Sequence, residues 1–475
     1  MPCVRKLWTF PRSPDMTCHS FHRPVSIGLV LTLIVALMTF VVRSASAQQP
    51  GADSVVRLTL GQAVRLASRQ NAAVEEAYAR VDAAKARVTQ RRADLLPTIT
   101  GDLLERGSTT NSATFPIEFP STPGQPALFD PRGSILGPVN VLDVRARVSQ
   151  MLYDPAARTR VQTARTGVTA ANADAASVAD LVAGAAANAY LAVLRADAVY
   201  TARLADSTLA SELLGIAQDQ LKAGTGIALD VTRARSQLTG ARTQLIVARN
   251  ERDRTRVDLA RTMGLPLVRL ELGDALATLP VAPATTEAAA LDAASRNRKD
   301  IQALELQAQA ARQQADAIRA ERLPSIGVFA DEGITQRNGR SYLPIYDWGI
   351  QLSLPIFDGY RRAGRVAEQV STARDLAIRV RDLHAQVDAD VRIATLNLRS
   401  SAEAVEAARE RQSLAEQEVA QARERFQAGV SGNADVITAS LTLNTARTQL
   451  VDALTSYQTS RVALARAQGA IALLD

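Results

Sequence analysis

The stretch ERLPSIGVFADEG, residues 321–333, ends a long run rich in Ala, Arg and Gln at Leu323-Pro324 and continues as a short alternation of apolar and polar residues. ADLLPTITGDLLE, residues 93–105, repeats the event at Leu96-Pro97, 227 residues earlier. A chain that otherwise reads as helix breaks twice, in the same way, into something that reads as strand.

Composition supports the helical reading of the remainder. Of 475 residues, 47% are hydrophobic but only 4% aromatic, and alanine dominates. Alanine is the best helix former, and so few large side chains favour long helices lying side by side over one thick core. Residues 1–47 read as a signal peptide. Arg5, Lys6, Arg12 and Arg23 give a basic start, 25–42 is uncharged and apolar, and Ala45-Ser46-Ala47 offers a small-x-small cleavage site. The mature chain would begin at Gln48, with Met16 as an alternative start. A retained anchor is the other reading, because a run of this length just spans a bilayer. No cysteine follows the cleavage site, which excludes a lipid anchor there. Both cysteines, Cys3 and Cys18, lie in this segment, so the mature chain has no disulfide and no thiolate chemistry. It retains one histidine, His384, and 50 basic against 47 acidic residues, a net charge of +3. No basic stripe with interleaved aromatics exists, and nucleic-acid binding is rejected.

The chain is a tandem repeat. Ala67-Ser68-Arg69 matches Ala294-Ser295-Arg296, and LPTI matches LPSI, both at an offset of 227. LYD (152–154) matches IFD (356–358) at 204, and AGTGIALDV (223–231) matches AGVSGNADV (428–436) at 205. The change of offset places about 23 extra residues in the Thr/Pro/Gly-rich stretch 108–138 of the first copy, where a surface loop tolerates insertion. The layout is a first repeat over 48–266, a linker over 267–285 and a second repeat over 286–475. Each repeat predicts a short helix (60–69; 287–296), a medium helix (72–95; 299–323) and a strand pair (about 97–153; about 324–357). A very long helix (156–222; 360–427), a Gly-containing turn and a last helix (230–263; 435–474) follow. Gly264-Leu265-Pro266 closes the first copy as a helix C-cap.

A helix of about 67 residues is roughly 100 Å long. It needs partners of equal length, and the two shorter helices stacked end to end nearly supply one. Leu376, Val380, Leu383, Val387, Val391, Ala394 and Leu398 recur in 4-3-4 steps. That eleven-residue period supercoils little, although an ordinary coiled coil fits the same stretch. In the second strand pair Trp348, Ile350, Leu352, Leu354 and Ile356 oppose Asp347, Gly349, Gln351 and Ser353. In the first, Leu142, Val144, Ala146 and Val148 oppose Asp143, Arg145, Arg147 and Ser149. This is the dyad pattern of a membrane barrel strand, and also of a half-buried soluble sheet. Ten of the fifteen aromatics after residue 47 fall in 97–154 or 324–360, among them Phe115, Phe119 and Phe129, as at the edges of membrane barrels. One chain offers only four strands, too few to close a barrel. An open edge in lipid is costly, so closure must occur between chains. Three would give twelve strands and twelve helical columns, making the fold mainly α with a small β part.

With the LPTI and LPSI breaks, the LYDP and IFDG junctions and the two turns in hand, the chain resembles the TolC-type outer-membrane efflux family over essentially all of 55–475. The resemblance implies a homotrimer with a 12-stranded barrel in the bacterial outer-membrane lipid. An α-helical tunnel would continue into the periplasm, and no cofactor or metal would take part. It implies a passive conduit for small molecules and drugs, fed by a periplasmic adaptor and an inner-membrane pump. Gly224, Thr225, Gly226, Gly429, Val430, Ser431 and Gly432 would be the tips that meet the adaptor. Asp230 and Asp435 are read as helix N-caps, and Asp435 in addition as a carboxylate ring narrowing the tunnel, with Asp230 and Phe426 beside it at the gate. Where family members carry a second acidic residue, a tyrosine and an arginine, this chain has Thr438, Phe426 and Ser431, so a polar latch does not carry over. Arg145, Arg147, Asp143, Asp102 and Asp347 would face the barrel lumen. A type I protein-secretion channel and a periplasmic coiled-coil scaffold without a barrel are the competing readings. No clustered catalytic set or phosphate loop points to an enzyme.

Overall fold

The computed structural model describes residues 55–114, 133–266, 269–279 and 286–471. The expected signal peptide, Phe115, Phe119 and Phe129, and part of the 267–285 segment lie outside them. The first copy runs β1 (Val55–Leu58), α1 (Leu60–Gln70), α2 (Ala72–Ala93), β2 (Thr98–Asn111), β3 (Ile135–Tyr153), α3 (Pro155–Lys222) and α4 (Ala228–Thr262). The second runs β4 (Arg269–Leu272), α5 (Glu287–Asn297), α6 (Lys299–Ala320), β5 (Ser325–Arg337), β6 (Leu343–Ser353), α7 (Arg361–Gln427) and α8 (Asn433–Ala467).

The long helices α3 and α7 have 68 and 67 residues. Helices α2, α4, α6 and α8 all pack on α3, and α6 and α8 pack on α7 as well. The stacked pair α6/α8 therefore forms a column between the two long helices, and α2/α4 forms one on the outer side of α3. Each chain is a wall of four columns, as the helix lengths require. The 4-3-4 pattern is the packing face of α7. Val387, Val391 and Ala394 are buried against Ala290 and Ala294 of α5, Ile301 of α6 and Leu464 of α8. An 18-residue window of α3 is apolar enough to cross a bilayer, yet half of it is buried within the wall.

A waist thickens the wall midway. Leu60, Ala63, Val64 and Ala67, one face of α1, bury against Val182, Ala186 and Tyr190 of α3. The expected 267–285 linker is not only a linker, because β4 pairs in parallel with β1 at its edge. Four residues are too few to show a period, so neither strand is legible in sequence. The Tyr190 hydroxyl donates to Leu58 O (3.0 Å) and to Asp274 Oδ2 (2.8 Å). Burial, followed by that bond, pushes the Tyr190 phenol well above its ordinary value.

Matched residues make the breaks. Asp154 Oδ1 accepts from Ala157 N (2.9 Å), and its counterpart Asp358 accepts from Arg362 N (2.9 Å) and Nε (2.7 Å). Each carboxylate satisfies an orphan amide at the start of a long helix. Glu321, at the end of α6, ties the junction, since it receives Arg365 (2.7 Å) and lies 3.5 Å from Arg160 of α3. The C-cap glycines also match. Gly264 and Gly469 have φ of +72° and +65°. A Cβ on Gly264 would sit 2.5 Å from Gln70 O, and one on Gly469 2.9 Å from the Asn297 carbonyl carbon.

The seam between the copies, α3 against α8, holds one buried charge. The side chain of Asp206 is 2% exposed and accepts from Arg447 (3.1 Å) and Arg203 (3.2 Å). Burial pushes its carboxyl above the ordinary range, and Arg447 and Arg203 pull it partly back.

Gly264→Ala combines left-handed backbone with a clash against a carbonyl oxygen and is expected to destabilise by at least about 2 kcal/mol. A thermal midpoint within about 1 °C of wild type would contradict this. Asp206→Ala leaves two arginines without their carboxylate. Both are partly exposed, so the expected cost is about 2 kcal/mol, below the 3–5 of a fully buried pair. Denaturant titration of the variant measures it.

Candidate functional site

Two regions carry the candidate residues, the sheet and the turns at the far end of the long helices. The sheet has the order β2-β3-β5-β6, all antiparallel, so β3 and β5 join the two expected hairpins. The register places Val148 opposite Ala330, and Ala330 opposite Trp348. The apolar rows of both copies therefore share a face. Ile99, Leu103, Trp348, Ile350 and Leu352 on it are 67–76% exposed. Glu105 and Glu332 fall in phase with this face and interrupt it.

The opposite face carries the charges. Arg145 Nε lies 2.6 Å from Asp143, and Arg147 Nη2 lies 3.0 Å from Asp331, whose side chain is 3% exposed. Arg145 also approaches Asp331, at 3.7 Å. The structure thus brings together Asp143, Arg145 and Arg147 around a carboxylate that sequence reasoning missed. Asp331 sits in FADEG of the opening stretch, in phase with Ser325, Gly327 and Phe329. Its signal was there in the alternation of β5. Asp347 stands opposite Asp331, and Asp102 opposite Arg145, but among the described residues neither forms an ion pair.

The two turns are built alike. Thr225 N and Gly226 N donate to Gln220 O (3.0 Å each), while Val430 N (2.9 Å) and Ser431 N (3.3 Å) donate to Arg425 O. Gly224 and Gly429 have φ of +77° and +70°, the left-handed closure of a helix end. This tight closure lets the chain re-enter a helix at once, which corrects the expected caps. Ile227 and Gly432 occupy the N-cap positions, and neither Asp230 nor Asp435 caps. Both aspartates lie within the first turn, where they favourably meet the positive end of the helix dipole. Asp230 lies 3.9 Å from Arg233, whereas the Asp435 side chain is exposed.

Phe426 does not project from the wall. It is 3% exposed and packs with Leu213 and Val436, filling the seam just above the tips. Two side chains absent from the sequence reading tie the tips together across that seam. Gln220 Nε2 donates to Phe426 O (3.1 Å), and Asn433 Nδ2 donates to Asp230 O (3.1 Å). Asn433 is fully buried, and among the described residues its Oδ1 has no partner. No charge participates in either bond. The thread legible in sequence was only that polar Asn and Gln flank the Gly turns.

Comparison with known proteins follows this architecture. The outer-membrane channel OprN has 19% identity and a TM-score of 0.69, over 86% of this chain and 90% of OprN. The CmeC outer membrane channel of Campylobacter jejuni has 17% identity and a TM-score of 0.69, over 86% and 85%. The open-state MtrE outer membrane channel of Neisseria gonorrhoeae has 18% and 0.67, over 86% and 88%. At such identities the likeness establishes the fold. In sequence, the alkaline protease secretion protein AprF of Pseudomonas aeruginosa is 28% identical over 283 residues. The match covers 57% of this chain and 57% of AprF, little more than half of that relative. Residues 63–265 and 290–470, nearly the two copies described above, match the family of the outer membrane efflux proteins, and the chain belongs to that family.

Proposed function

We propose that three copies of this chain pool their sheets into one twelve-stranded barrel in the outer membrane and their columns into a periplasmic tunnel. The assembly is a passive conduit that takes small molecules from a periplasmic adaptor and an inner-membrane pump to the exterior. The observation that carries this is the sheet itself. It ends in two long strands, β2 and β6, that have no outer neighbour among the described residues, and it exposes a broad apolar face. Unpaired backbone groups in hydrocarbon cost several kcal/mol each, and pairing β6 of one copy with β2 of the next removes every edge. The apolar face then meets lipid, and the charged face with Asp143, Arg145, Arg147, Asp102 and Asp347 meets the lumen.

The tips are the adaptor contact and the gate. Ile227 and Val430, 58% and 71% exposed, offer apolar anchors beside the Gly turns. Asp435, exposed and close to the axis in this reading, supplies three carboxylates that favour cations. A second reading, protein secretion, is favoured by the AprF match. Deletion of the gene separates the two. Accumulation of a fluorescent efflux dye with an unchanged set of secreted proteins supports the first. Loss of a secreted protein with normal dye efflux turns the assignment to the second.

Asp435→Asn is expected to lower cation preference in planar bilayers, while unchanged ion selectivity would remove Asp435 from the pore. Gln220→Ala with Asn433→Ala removes two neutral bonds across the seam, each about 1 kcal/mol. The closed-to-open ratio should fall roughly thirtyfold. Because neither bond contains a titratable group, the increase in open-channel current should be the same at pH 5.5 and pH 7.5.

A further inference from the structure

Just beneath the sheet, α2, α3 and α6 enclose an open cleft of about 730 Å³. Its floor is the small-residue stretch of α3 around Gly167, Ala170 and Ala171. One wall is a ladder of arginines on α2: Arg80, Arg87 and Arg91. They follow each other at seven and four residues, so the ladder rises about 16 Å along one helix face. All three are exposed, and among the described residues none of the three has an ion-pair partner. On the other flank of the same helix, Lys85 is paired with Asp82 at 2.8 Å. The one further guanidinium in the cleft, Arg160, is already engaged by Asp154 and Glu321. The one carboxylate, Asp174, lies on α3 at the end of the cleft away from the sheet.

The tandem repeat sharpens the contrast. At the 227-residue offset, Arg80 and Arg87 correspond to Gln307 and Gln314 of α6, which form the opposite wall of the same cleft. The fold thus accommodates a neutral amide at this position, and only the first copy places guanidinium groups there. The direction of the cleft follows from a second, smaller one above it. That one is lined by Asp94, one helical turn beyond Gln90 and Arg91, by Gln150 and Val328 of the apolar row, and by four residues of the opposite row, Thr98, Ser149, Phe329 and Gln351. These four strand residues belong to the charged face of the sheet by register. The strand lining of the upper cleft thus falls mainly on that face, which favours an opening of both clefts on its side.

We propose that this ladder is a binding site for organic anions in transit, taking solutes that carry two or more carboxylate or phosphate groups. The site rests on the reading above that the charged face lines the lumen. Unpaired guanidiniums recognise carboxylate and phosphate through paired N–H donors. Spacings of about 10 and 6 Å along the helix suit a solute with separated charges better than a single small ion. Three copies would form a collar at the entry to the barrel, opposite in sign to the Asp435 carboxylates at the far end. An anion that passes the tips would then be held where the helical wall meets the sheet.

Citrate is the probe. With the purified assembly in planar bilayers, citrate added on the barrel side should reduce the wild-type current. The triple variant Arg80→Gln/Arg87→Gln/Arg91→Gln should need at least fivefold more citrate for the same reduction. Glutamine is what the second copy already carries at two of these positions, and an unchanged thermal midpoint verifies the variant's fold. Equal block of both proteins overturns the proposal. Arg87→Cys tests the underlying orientation, because the chain beyond residue 47 has no cysteine of its own. Modification by a negatively charged methanethiosulfonate should change the current. Complete labelling with no change in current would place the cleft outside the tunnel and overturn the lumen reading as well. Equal citrate block in a channel whose Arg87→Cys form does respond would remove the anion role alone.

Discussion

A peptide group in hydrocarbon has no water to bond with, and the proposed assembly is arranged around that fact. Four strands of 14, 19, 13 and 11 residues pair with one another, but among the described residues the first and last have no further strand beside them. Helices satisfy their own backbones and need no such closure, so the rest of the wall can be helical. In the proposed assembly, the change from helix to strand at Pro97 and Pro324 marks where the wall changes solvent. The aspartates at 154 and 358 mark where it changes back, each bonding the first free amides of a long helix.

Duplication explains how one chain supplies so regular a wall. Residues that make the geometry are the same in both copies: the Leu-Pro breaks, the aspartates at the junctions and the glycines at 264 and 469 that let a helix end press on a neighbouring joint. Among the residues that differ are several on open surfaces. The first copy has arginines where the second has glutamines along the cleft below the sheet, and the first carries the longer strand loop. Scaffold and specificity are thereby separated within one repeat. A backbone in close contact tolerates only one residue type, while an exposed side chain is free to change.

The seam between the copies is graded. Its middle holds Asp206 with two arginines, a buried charge that is expensive to uncover. Its end holds Phe426 packed between Leu213 and Val436 and two neutral bonds from Gln220 and Asn433. A wall that moves would part first where only packing and neutral bonds resist, which is at the tips.

Much of this was legible in sequence, for a physical reason. Helix length, strand alternation and repeat offset are local or periodic quantities, and in a wall mostly one element thick there is little second layer to override them. The columns, the hairpins, the shared apolar face and the turn glycines all followed from such patterns. What sequence could not supply depended on register or on exact helix ends. Asp331 became the centre of the charged cluster only when β5 docked beside β3. Asp230 and Asp435 moved from caps into the first turn because both helices begin three residues sooner than glycine and aspartate spacing suggests. The β1–β4 ribbon, the Asp206 cluster and the Asn433 bond join residues about 200 or more apart. One chain's pattern determined what kind of wall it builds, and only the packed structure decided which side chains meet across its seams, because those meetings are set by translation of one helix or strand along another.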